Sequence, residues 1–308
     1  MRTLACLAAA GMLALSASAA RGQTAAYGEA FDTLYSVDLE GHTATTIGPA
    51  GSYGGQLIVN ISGLSYSLDD TLYAVAGGMN ALTRIDPSSG AATVIGSFGL
   101  SGQGDPQRND ALDLSMTFDC DGNLWLASAY AGKLWTVNPS TGATTTIGNT
   151  GHSITGLIAR GPLLFGAGGR GDNTFYQINT ETGAATAIGS FGTTNWINSV
   201  SMSFDSVGTL WAVLNYVPPA PGSTTVPDWS DLATMDPSSG EMTILGPITG
   251  PDSLRQIGMK GFAVGPPRCI AGALIPHRAP VGSPPWLAAL VVLLLAAAAW
   301  TLRRRATS

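Results

Sequence analysis

The sequence predicts an all-β fold, a five-bladed β-propeller in which each blade is a four-stranded sheet. Three observations predict it: a strand–turn–strand unit that recurs along the chain, turn residues that suit tight hairpins, and a strand missing from the first repeat but present after the last. The composition fits, since the 308 residues include 40 glycines and only 11% are charged, against about 25% in average proteins. This composition excludes a coiled coil, a basic nucleic-acid-binding protein and a charge-driven disordered chain.

The recurring unit is a β-hairpin that closes on a glycine, and it occupies residues 34–48, 82–96, 134–148, 175–189 and 232–246. The closing glycines are 48, 52, 41 and 57 residues apart. This period fits a four-stranded propeller blade better than a helical solenoid.

The turns of repeats two to five share one chemistry. Each begins with Asp or Asn, which accepts a local hydrogen bond, and each ends with Gly, which adopts the left-handed conformation before the next strand. In three of them the second residue is Pro, which fixes φ: Pro87, Pro139 and Pro237. Apolar residues alternate on both sides of the turns, which indicates strands.

Two more strands precede the hairpin in repeats two to five, at residues 61–66 and 72–75, 114–118 and 124–127, 154–158 and 163–166, and 200–204 and 210–213. The first repeat has a single candidate, residues 25–30. The strand that it lacks appears at the other end of the chain, as residues 258–264, which resemble residues 61–66 and are followed by nothing that could complete another blade. We therefore expect the C-terminal strand to complete the N-terminal blade in a one-plus-three arrangement, which pairs edges that would otherwise stay open.

Both ends of the chain predict targeting segments. Residues 1–19 combine Arg2, an apolar stretch and a small-residue cleavage site, as in a secretory signal peptide. The predicted propeller spans 24–266, and a Pro-rich linker spans 267–285. Residues 286–302 are a charge-free run that predicts a transmembrane helix, and 303–308 are a basic tail expected to stay cytoplasmic. A buried helix is the alternative at each end.

The linker, apolar helix and basic cluster together resemble the tripartite C-terminal sorting signals of Gram-negative bacteria. Ile275-Pro276 is similar to the start of the IPTL type, although His277-Arg278-Ala279 follow it here. The resemblance implies a membrane enzyme that reads and processes the tail, and a plain anchor is the alternative. The repeats resemble secreted bacterial propeller-repeat proteins of the quinoprotein-like or NHL-like class, a fold that hosts binding proteins and enzymes alike.

The irregular insertions are expected on the face opposite the hairpin turns, where binding usually occurs on such scaffolds. They span residues 49–57, 97–112, 149–152, 168–173, 190–197, 216–231 and 247–256. Exposed Trp beside Asp and Asn suits sugar or peptide binding, and neutral variation of the loops is the alternative. The predicted binding residues are Trp196, Trp229, Asp105, Asn109, Asp172, Asn173, Asn195, Arg170, Asp228 and Arg255, with Asp252 beside them.

Catalytic residues are scarce near the predicted channel. Aligned innermost strands place five small residues at one position near the axis: Gly63, Ser115, Gly156, Ser201 and Gly261. Two residues earlier, Asp113 is the only carboxylate, whereas a glycosidase needs a pair that converges on the substrate. If the protein is an enzyme, we expect an extracytoplasmic hydrolase or lyase that uses Asp113, Asp110 and Arg108 at the channel mouth.

The sequence predicts neither a metal site nor a cofactor. No Cys/His spacing suggests zinc, and residues 119–123 resemble a calcium loop but are better interpreted as a hairpin turn. Cys120 and Cys269 are expected on the same face, where they either form a disulfide or remain two free thiols. The tryptophans of the strands are expected in the core between blades: Trp125, Trp135 and Trp211.

The charge distribution narrows the class of partner. All 20 acidic residues lie between Glu29 and Asp252, and an acidic surface disfavours nucleic acid and anionic lipid. The sequence therefore predicts a monomeric, exported propeller of the cell envelope, which its C-terminal signal either anchors in the membrane or sorts to the surface. We expect it to be non-catalytic and to bind a protein or glycan partner through its loop-rich face.

Overall fold

A computed structural model of the chain describes residues 25–216, 230–251, 254 and 258–265. The predicted signal peptide, linker, transmembrane helix and basic tail lie outside these residues. Within the described ranges, no helix has the length and apolar character needed to cross a membrane.

The chain forms five four-stranded antiparallel sheets, the five predicted blades. Blade 1 contains β1 (Ala25–Ala30), β2 (Thr33–Asp38), β3 (Thr43–Pro49) and the C-terminal strand β22 (Gly261–Gly265). Blade 2 contains β6 (Ile61–Tyr66), β7 (Leu72–Ala76), β8 (Ala81–Ile85) and β9 (Ala92–Ser97). Blade 3 contains β10 (Leu114–Phe118), β11 (Leu124–Ser128), β12 (Lys133–Val137) and β13 (Thr144–Asn149).

Blade 4 contains β14 (Gly156–Arg160), β15 (Leu163–Ala167), β16 (Thr174–Ile178) and β17 (Ala185–Ser190). Blade 5 contains β18 (Ile197–Phe204), β19 (Leu210–Tyr216), β20 (Ser230–Met235) and β21 (Met242–Pro247). The described helical segments are two short 3₁₀ turns, Gly77–Met79 and Pro106–Arg108.

The predicted ring closure is confirmed. Strand β22 pairs antiparallel with β1, in a register that joins Glu29 to Gly261 and Ala25 to Gly265. It is the innermost strand of blade 1 and contacts the innermost strands of blades 2 and 5, β6 and β18. The first blade is thus made of one strand from the end of the array and three from its beginning.

The hydrophobic core is divided into five clusters, one between each pair of neighbouring blades. Trp135 is fully buried between blades 2 and 3, and Trp125 is buried between blades 3 and 4. Trp211 packs, partly buried, against the cluster between blades 5 and 1. The prediction that these tryptophans belong to the core is therefore confirmed.

The recurring glycines bring adjacent blades into backbone contact. Gly142, in the hairpin turn of blade 3, has φ +78°, and a Cβ there would lie 2.5 Å from the carbonyl oxygen of Gly96, the closing glycine of blade 2. The same contact joins Gly90 to Gly48. Since any side chain would collide with a neighbouring backbone, this packing explains why the repeats keep glycine at both positions.

One local element differs from expectation. The insertion at 49–57, expected as an irregular loop, contains a two-residue hairpin, β4 (Ser52–Tyr53) and β5 (Gln56–Leu57). Gly54 and Gly55 connect the strands with φ +58° and +82°. Two consecutive left-handed residues are what a type I′ turn requires, so the glycine pair accounts for this hairpin.

Candidate binding site on the loop face

The propeller has two different faces. We call the side on which the innermost strands begin the loop face, because it carries the connections between blades, such as residues 98–113 and 191–196. The other side, the turn face, carries the repeated hairpin turns such as residues 138–142. The strand directions therefore place the described insertions and the hairpin turns on opposite faces, as predicted.

The central channel is nearly filled. Its lining includes Gly63, Ser115, Gly156 and Ser201, four of the five residues expected near the axis, and it leaves about 10 Å³ of free space. A cavity of this size holds about one water molecule. A Cβ on Gly156 would lie 2.4 Å from the carbonyl oxygen of Val200, so the glycines let the innermost strands approach closely. A ligand can therefore reach the mouth of the channel but not its interior.

At the mouth, three blades contribute to a charged group that we call the mouth cluster: Asp113, Arg170, Lys260, Tyr130 and Arg108. Arg170 Nη2 donates a hydrogen bond to Asp113 Oδ2, and Lys260 Nζ donates to Asp113 Oδ1 at 3.0 Å. Each of these three residues is far from the others in sequence. Both oxygens of the carboxylate are thus engaged by cations from blades 4 and 1.

The pKa of Asp113 reflects opposing influences. Burial has the largest single effect and favours the neutral form, but the charges of Lys260 and Arg170 and their hydrogen bonds together outweigh it. The pKa of Asp113 therefore lies below its ordinary value. A carboxyl group held ionised between two cations is a poor general acid and a hindered general base.

Tyr130, in the loop between β11 and β12, organises both arginines of the cluster. The Arg170 guanidinium carbon lies 3.8 Å from the centre of the Tyr130 ring, and that of Arg108 lies 4.9 Å from it. Arg108 Nη1 also donates to the Tyr130 hydroxyl at 3.1 Å. Such cation–π contacts hold guanidinium groups in place while leaving part of each exposed.

Asp113 and Arg170 both have left-handed backbone conformations, with φ +48° and +60°. Residues with a Cβ pay an energetic penalty there, and such residues concentrate at binding and catalytic sites. Arg170 is fixed by blade 5, because its backbone N–H donates to the Asn198 carbonyl at 3.0 Å. The ion pair thus links two strained positions that neighbouring blades hold in place.

The predicted residues of the 97–112 insertion mainly shape that loop. Asp110 accepts hydrogen bonds from the backbone N–H groups of Gly102 and Gly104, both at 2.6 Å. Asp105 caps the 3₁₀ turn and forms an ion pair of 3.3 Å with Arg108. Asn109 ends that turn in a left-handed conformation. Of the suggested catalytic residues, Arg108 and Asp113 thus both belong to the mouth cluster, without a direct hydrogen bond or ion pair between them, and Asp110 braces the loop beside it.

The predicted residues of blade 4 brace a second loop pair. Asn173 Nδ2 donates to the carbonyls of Thr193 and Asn195, at 3.1 and 2.7 Å, so it fastens the 168–173 loop to the 190–197 loop. Asp172 accepts from the hydroxyl of Tyr176 at 2.7 Å. Burial, with the Asp172 hydrogen bond second, raises the pKa of Tyr176 to about 12.

Trp196 lies on the surface of this loop pair. Its side chain is 49% exposed, and its indole lies against Gly171, where a Cβ would be 2.6 Å from Nε1. An indole seated on a glycine backbone keeps a defined orientation while presenting a broad apolar surface. Among the predicted aromatic residues, Trp196 therefore presents an exposed indole on the loop face. Trp229, Asp228, Asp252 and Arg255 lie outside the described residues.

Sequence reasoning missed an apolar patch on the opposite sector of the loop face. Tyr53 and Leu57, on the small hairpin, are 59% and 68% exposed, and Phe31, in the β1–β2 turn, is 42% exposed. It also missed Lys260 and Tyr130 of the mouth cluster. The Gly54–Gly55 pair could have indicated the hairpin, but the approach of Lys260 to Asp113 depends on ring closure and left no local signal.

Glu29 is an unusual buried acid near the same end of the channel. It pairs with Gly261 across β1 and β22 and is completely buried. Its carboxyl oxygens have no hydrogen-bond partner among the described residues. Burial, and then the negative charge of Asp32, raise its pKa to about 8. The group is therefore neutral at neutral pH.

On the turn face, residues 119–123 form the hairpin turn that the sequence favoured. The Asp119 carboxylate accepts from the N–H groups of Asp121 and Asn123 and from Trp125 Nε1, at 2.8 to 3.0 Å. Asp205 makes the equivalent contact with Trp211 at 3.0 Å. No group of three metal-ligating side chains occurs in the described parts of the chain.

Cys120 is disulfide-bonded. Its partner lies outside the described residues, as does Cys269.

No protein-family model and no curated protein matches the chain. The structure is similar to a protein of unknown function from Bacteroides thetaiotaomicron, with 15% identity over 61% of this chain and 53% of that one, and a TM-score of 0.45. It thus spans about half of that protein. It is also similar to a chain of a nidogen/laminin complex (13% identity, 78% and 98% coverage, TM-score 0.46) and to virginiamycin B lyase from Staphylococcus aureus (14%, 76% and 73%, 0.39). Similarities at this level carry no conclusion about the activity of this chain.

Proposed function

We propose that this chain is a non-catalytic, exported propeller of the cell envelope that binds a protein or glycan partner through its loop face. One observation carries the proposal. Among the described residues, four of the eight exposed large hydrophobic side chains lie on this face, on both sides of the mouth cluster: Phe31, Tyr53, Leu57 and Trp196. Exposed apolar surface bordered by charged groups is typical of interaction sites.

The arrangement of the mouth cluster favours binding over catalysis. Both oxygens of Asp113 are occupied by cations, and Asp110 is occupied by backbone N–H groups. The hydrolase or lyase alternative needs a free acid or base at this point. By contrast, Lys260 and Arg108, whose side chains are partly exposed, can donate to an anionic or polar group of a partner.

The cellular location is part of the proposal. The predicted signal peptide supports export, and the predicted C-terminal helix supports retention at the envelope. The disulfide at Cys120 agrees with an oxidising compartment, where such bonds persist.

The test measures binding to a glycan array and to envelope proteins, with the wild type and two substitution variants. Trp196→Ala and Tyr53→Ala should each reduce binding at least several-fold, because each removes an exposed aromatic surface. Leu245→Ala is the matched control, since Leu245 is an exposed apolar residue on the outer strand β21, away from the loop face. Equal binding by all four proteins would contradict the proposal. Binding on the glycan array indicates a glycan partner, whereas binding to envelope proteins indicates a protein partner.

A further inference from the structure

The mouth cluster concentrates positive charge in an acidic protein. The described residues include 18 acidic side chains but only six lysines and arginines. Three of these six cations belong to the mouth cluster, where Arg108, Arg170 and Lys260 pair with two carboxylates, Asp105 and Asp113. The other three are single residues of blades 2, 3 and 4: Arg84, Lys133 and Arg160. The mouth therefore has a local excess of positive charge.

Two of the cations keep hydrogen-bond donors for a ligand. The Lys260 side chain is 39% exposed, and Asp113 uses one of the three N–H groups of its ammonium. The Arg108 side chain is 57% exposed, and Asp105 and Tyr130 engage its Nε and Nη1. The N–H groups of its Nη2 have no partner among the described residues. Lys260 and Arg108 can therefore both donate to a group that arrives from solution.

The neighbouring carboxylates are engaged by donors of the protein. Both oxygens of Asp113 accept from cations, and Asp110 accepts from two backbone N–H groups. Asp172 accepts from the Tyr176 hydroxyl at 2.7 Å. Because these donors offset the negative potential of the acids, an anion at the mouth encounters mainly Lys260 and Arg108. Charge-assisted hydrogen bonds to an anionic group are among the strongest that a protein makes.

An exposed aromatic surface lies beside the cations. The N–H groups of Arg170 and Gly171 donate to the carbonyls of Asn198 and Ile197, both at 3.0 Å. This pairing brings the indole of Trp196 against Gly171, one residue from Arg170. The face of an indole is an apolar platform, on which the C–H groups of a sugar ring can stack. Blade 5 therefore places a stacking surface next to the charged mouth.

A sugar ring with a carboxylate matches this arrangement. In a uronic acid the carboxylate is attached directly to the ring, so a stacked ring holds its charge close to the aromatic surface. The carboxylate of an acidic peptide ends a flexible side chain and needs no such surface beside it. The channel below has only about 10 Å³ of free space, so the ligand must lie across the mouth. A chain of sugars in this position runs towards Tyr53, which is exposed on the opposite sector.

We propose that the mouth cluster is a subsite for a carboxylated sugar, the uronic acid unit of an acidic polysaccharide. Trp196 stacks on the sugar ring, and Lys260 and Arg108 donate to its carboxylate. The other members of the cluster are positioning residues, which hold these cations in place. The inference rests on the proposed function, because it assigns a ligand class to the binding face described there.

The experiment compares two ligands that differ in charge. Ligand-observed NMR measures the affinity of the full-length protein for tetragalacturonate and for its methyl ester. The acid should bind about tenfold more tightly or better, because the ester cannot accept charge-assisted hydrogen bonds. Equal affinities, or no binding of either ligand, would overturn the subsite. The proposed function would survive that result if the glycan array or envelope-protein capture still showed binding that depends on the loop face.

Tetraglutamate separates a sugar from a peptide, since it carries carboxylates without sugar rings. It should bind several-fold more weakly than tetragalacturonate. Equal or tighter binding of tetraglutamate would assign the mouth to acidic peptides and contradict the proposal.

Substitutions separate the charge from the ring. Arg108→Gln should reduce the preference for the acid over the ester several-fold, whereas Trp196→Ala should weaken both ligands and leave that preference nearly unchanged. Arg84→Gln is the matched control and should bind as the wild type does. Arg84 also lies over a tyrosine ring, 5.7 Å from the centre of Tyr73, but it is next to the turn face, near the end of β8.

If Arg108→Gln and Arg84→Gln behave alike, the cluster does not bind the carboxylate and the proposal fails. Circular dichroism shows that each variant is folded. Should Arg108→Gln not fold, Lys260→Gln makes the same comparison.

Discussion

The two faces of this propeller are built by different rules. On the turn face, the same turn recurs in four blades, and its first residue accepts a hydrogen bond from the N–H two residues later in each: Asp86, Asn138, Asn179 and Asp236. On the loop face no such pattern repeats among the described residues, and the central contact joins Asp113 to Lys260, 147 residues away. Repeated local hydrogen bonds therefore build the scaffold, while the loops that do not repeat carry the side-chain contacts specific to this protein.

The largest effect is expected at the mouth cluster. Asp113→Ala leaves Arg170 and Lys260 side by side without their counter-charge, and we expect it to lower the free energy of unfolding by about 3–5 kcal/mol. Adding Lys260→Met should recover part of this loss. Because the pKa of Asp113 lies below its ordinary value, the stabilisation is present at neutral pH and is lost as acid protonates the folded state.

Denaturant unfolding of the wild type, the single variant and the double variant measures this effect. A loss no greater than that of an exposed surface substitution would show that the loop face does not depend on the cluster.

The next effect concerns Glu29, whose pKa of about 8 predicts an unusual pH dependence. The unfolded carboxyl ionises near its ordinary pKa of 4.5, while the folded one stays neutral, so stability falls as pH rises between these values. Glu29→Gln removes this penalty and should stabilise the protein by roughly 3 kcal/mol at pH 7.

Thermal melts from pH 5 to about pH 8, a range set by linkage, test this prediction. The two curves should diverge as pH rises. Glu40→Gln is the control, since Glu40 is an exposed acid of the same blade and its removal should leave the curve parallel to the wild type. Parallel curves for Glu29→Gln and the wild type would mean that the Glu29 carboxyl has the same pKa in the folded and the unfolded protein.

A smaller effect tests the backbone contact between blades on the turn face. Gly142→Ala combines a left-handed backbone with a collision against the Gly96 carbonyl, whereas Gly122→Ala has a similar φ, +82°, and its closest neighbour is Leu68 Cδ1 at 3.6 Å. We expect about 1 kcal/mol for the control and about 2–3 kcal/mol for Gly142→Ala. Chemical denaturation compares them, and equal losses would mean that adjacent blades yield at this contact.

The smallest effect is expected where binding is proposed. Trp196→Ala and Tyr53→Ala remove exposed side chains, and each should change stability by less than about 0.5–1 kcal/mol. Differential scanning calorimetry measures the change. A large destabilisation would instead mean that these two aromatic side chains stabilise the fold, so that the loop face would not be separate from the scaffold.

The fold could be predicted because its signals are local. The turn residues and the alternating strands specify five blades, and the strand that is missing before Leu34 but present at residues 258–264 specifies their closure. The site could be predicted only in part. Asp113 was visible as a lone carboxylate near the axis, but its capture by Arg170 and Lys260 depends on where ring closure brings blades 1 and 4. Asn173 is a polar loop residue of the kind that binds ligands, yet its side chain fastens two loops to each other. The sequence alone does not distinguish these two roles.

Closure of blade 1 by β22 determines the order in which the blades can be completed during synthesis and folding. During synthesis the chain grows from its N-terminus, so β1 is made early and its inner edge stays unpaired until residue 265 has been made. Pairings across such separations form late because the chain entropy between them must first be lost. Until then the array is an unfinished ring with an unpaired strand edge, the kind of folding intermediate that is prone to aggregation.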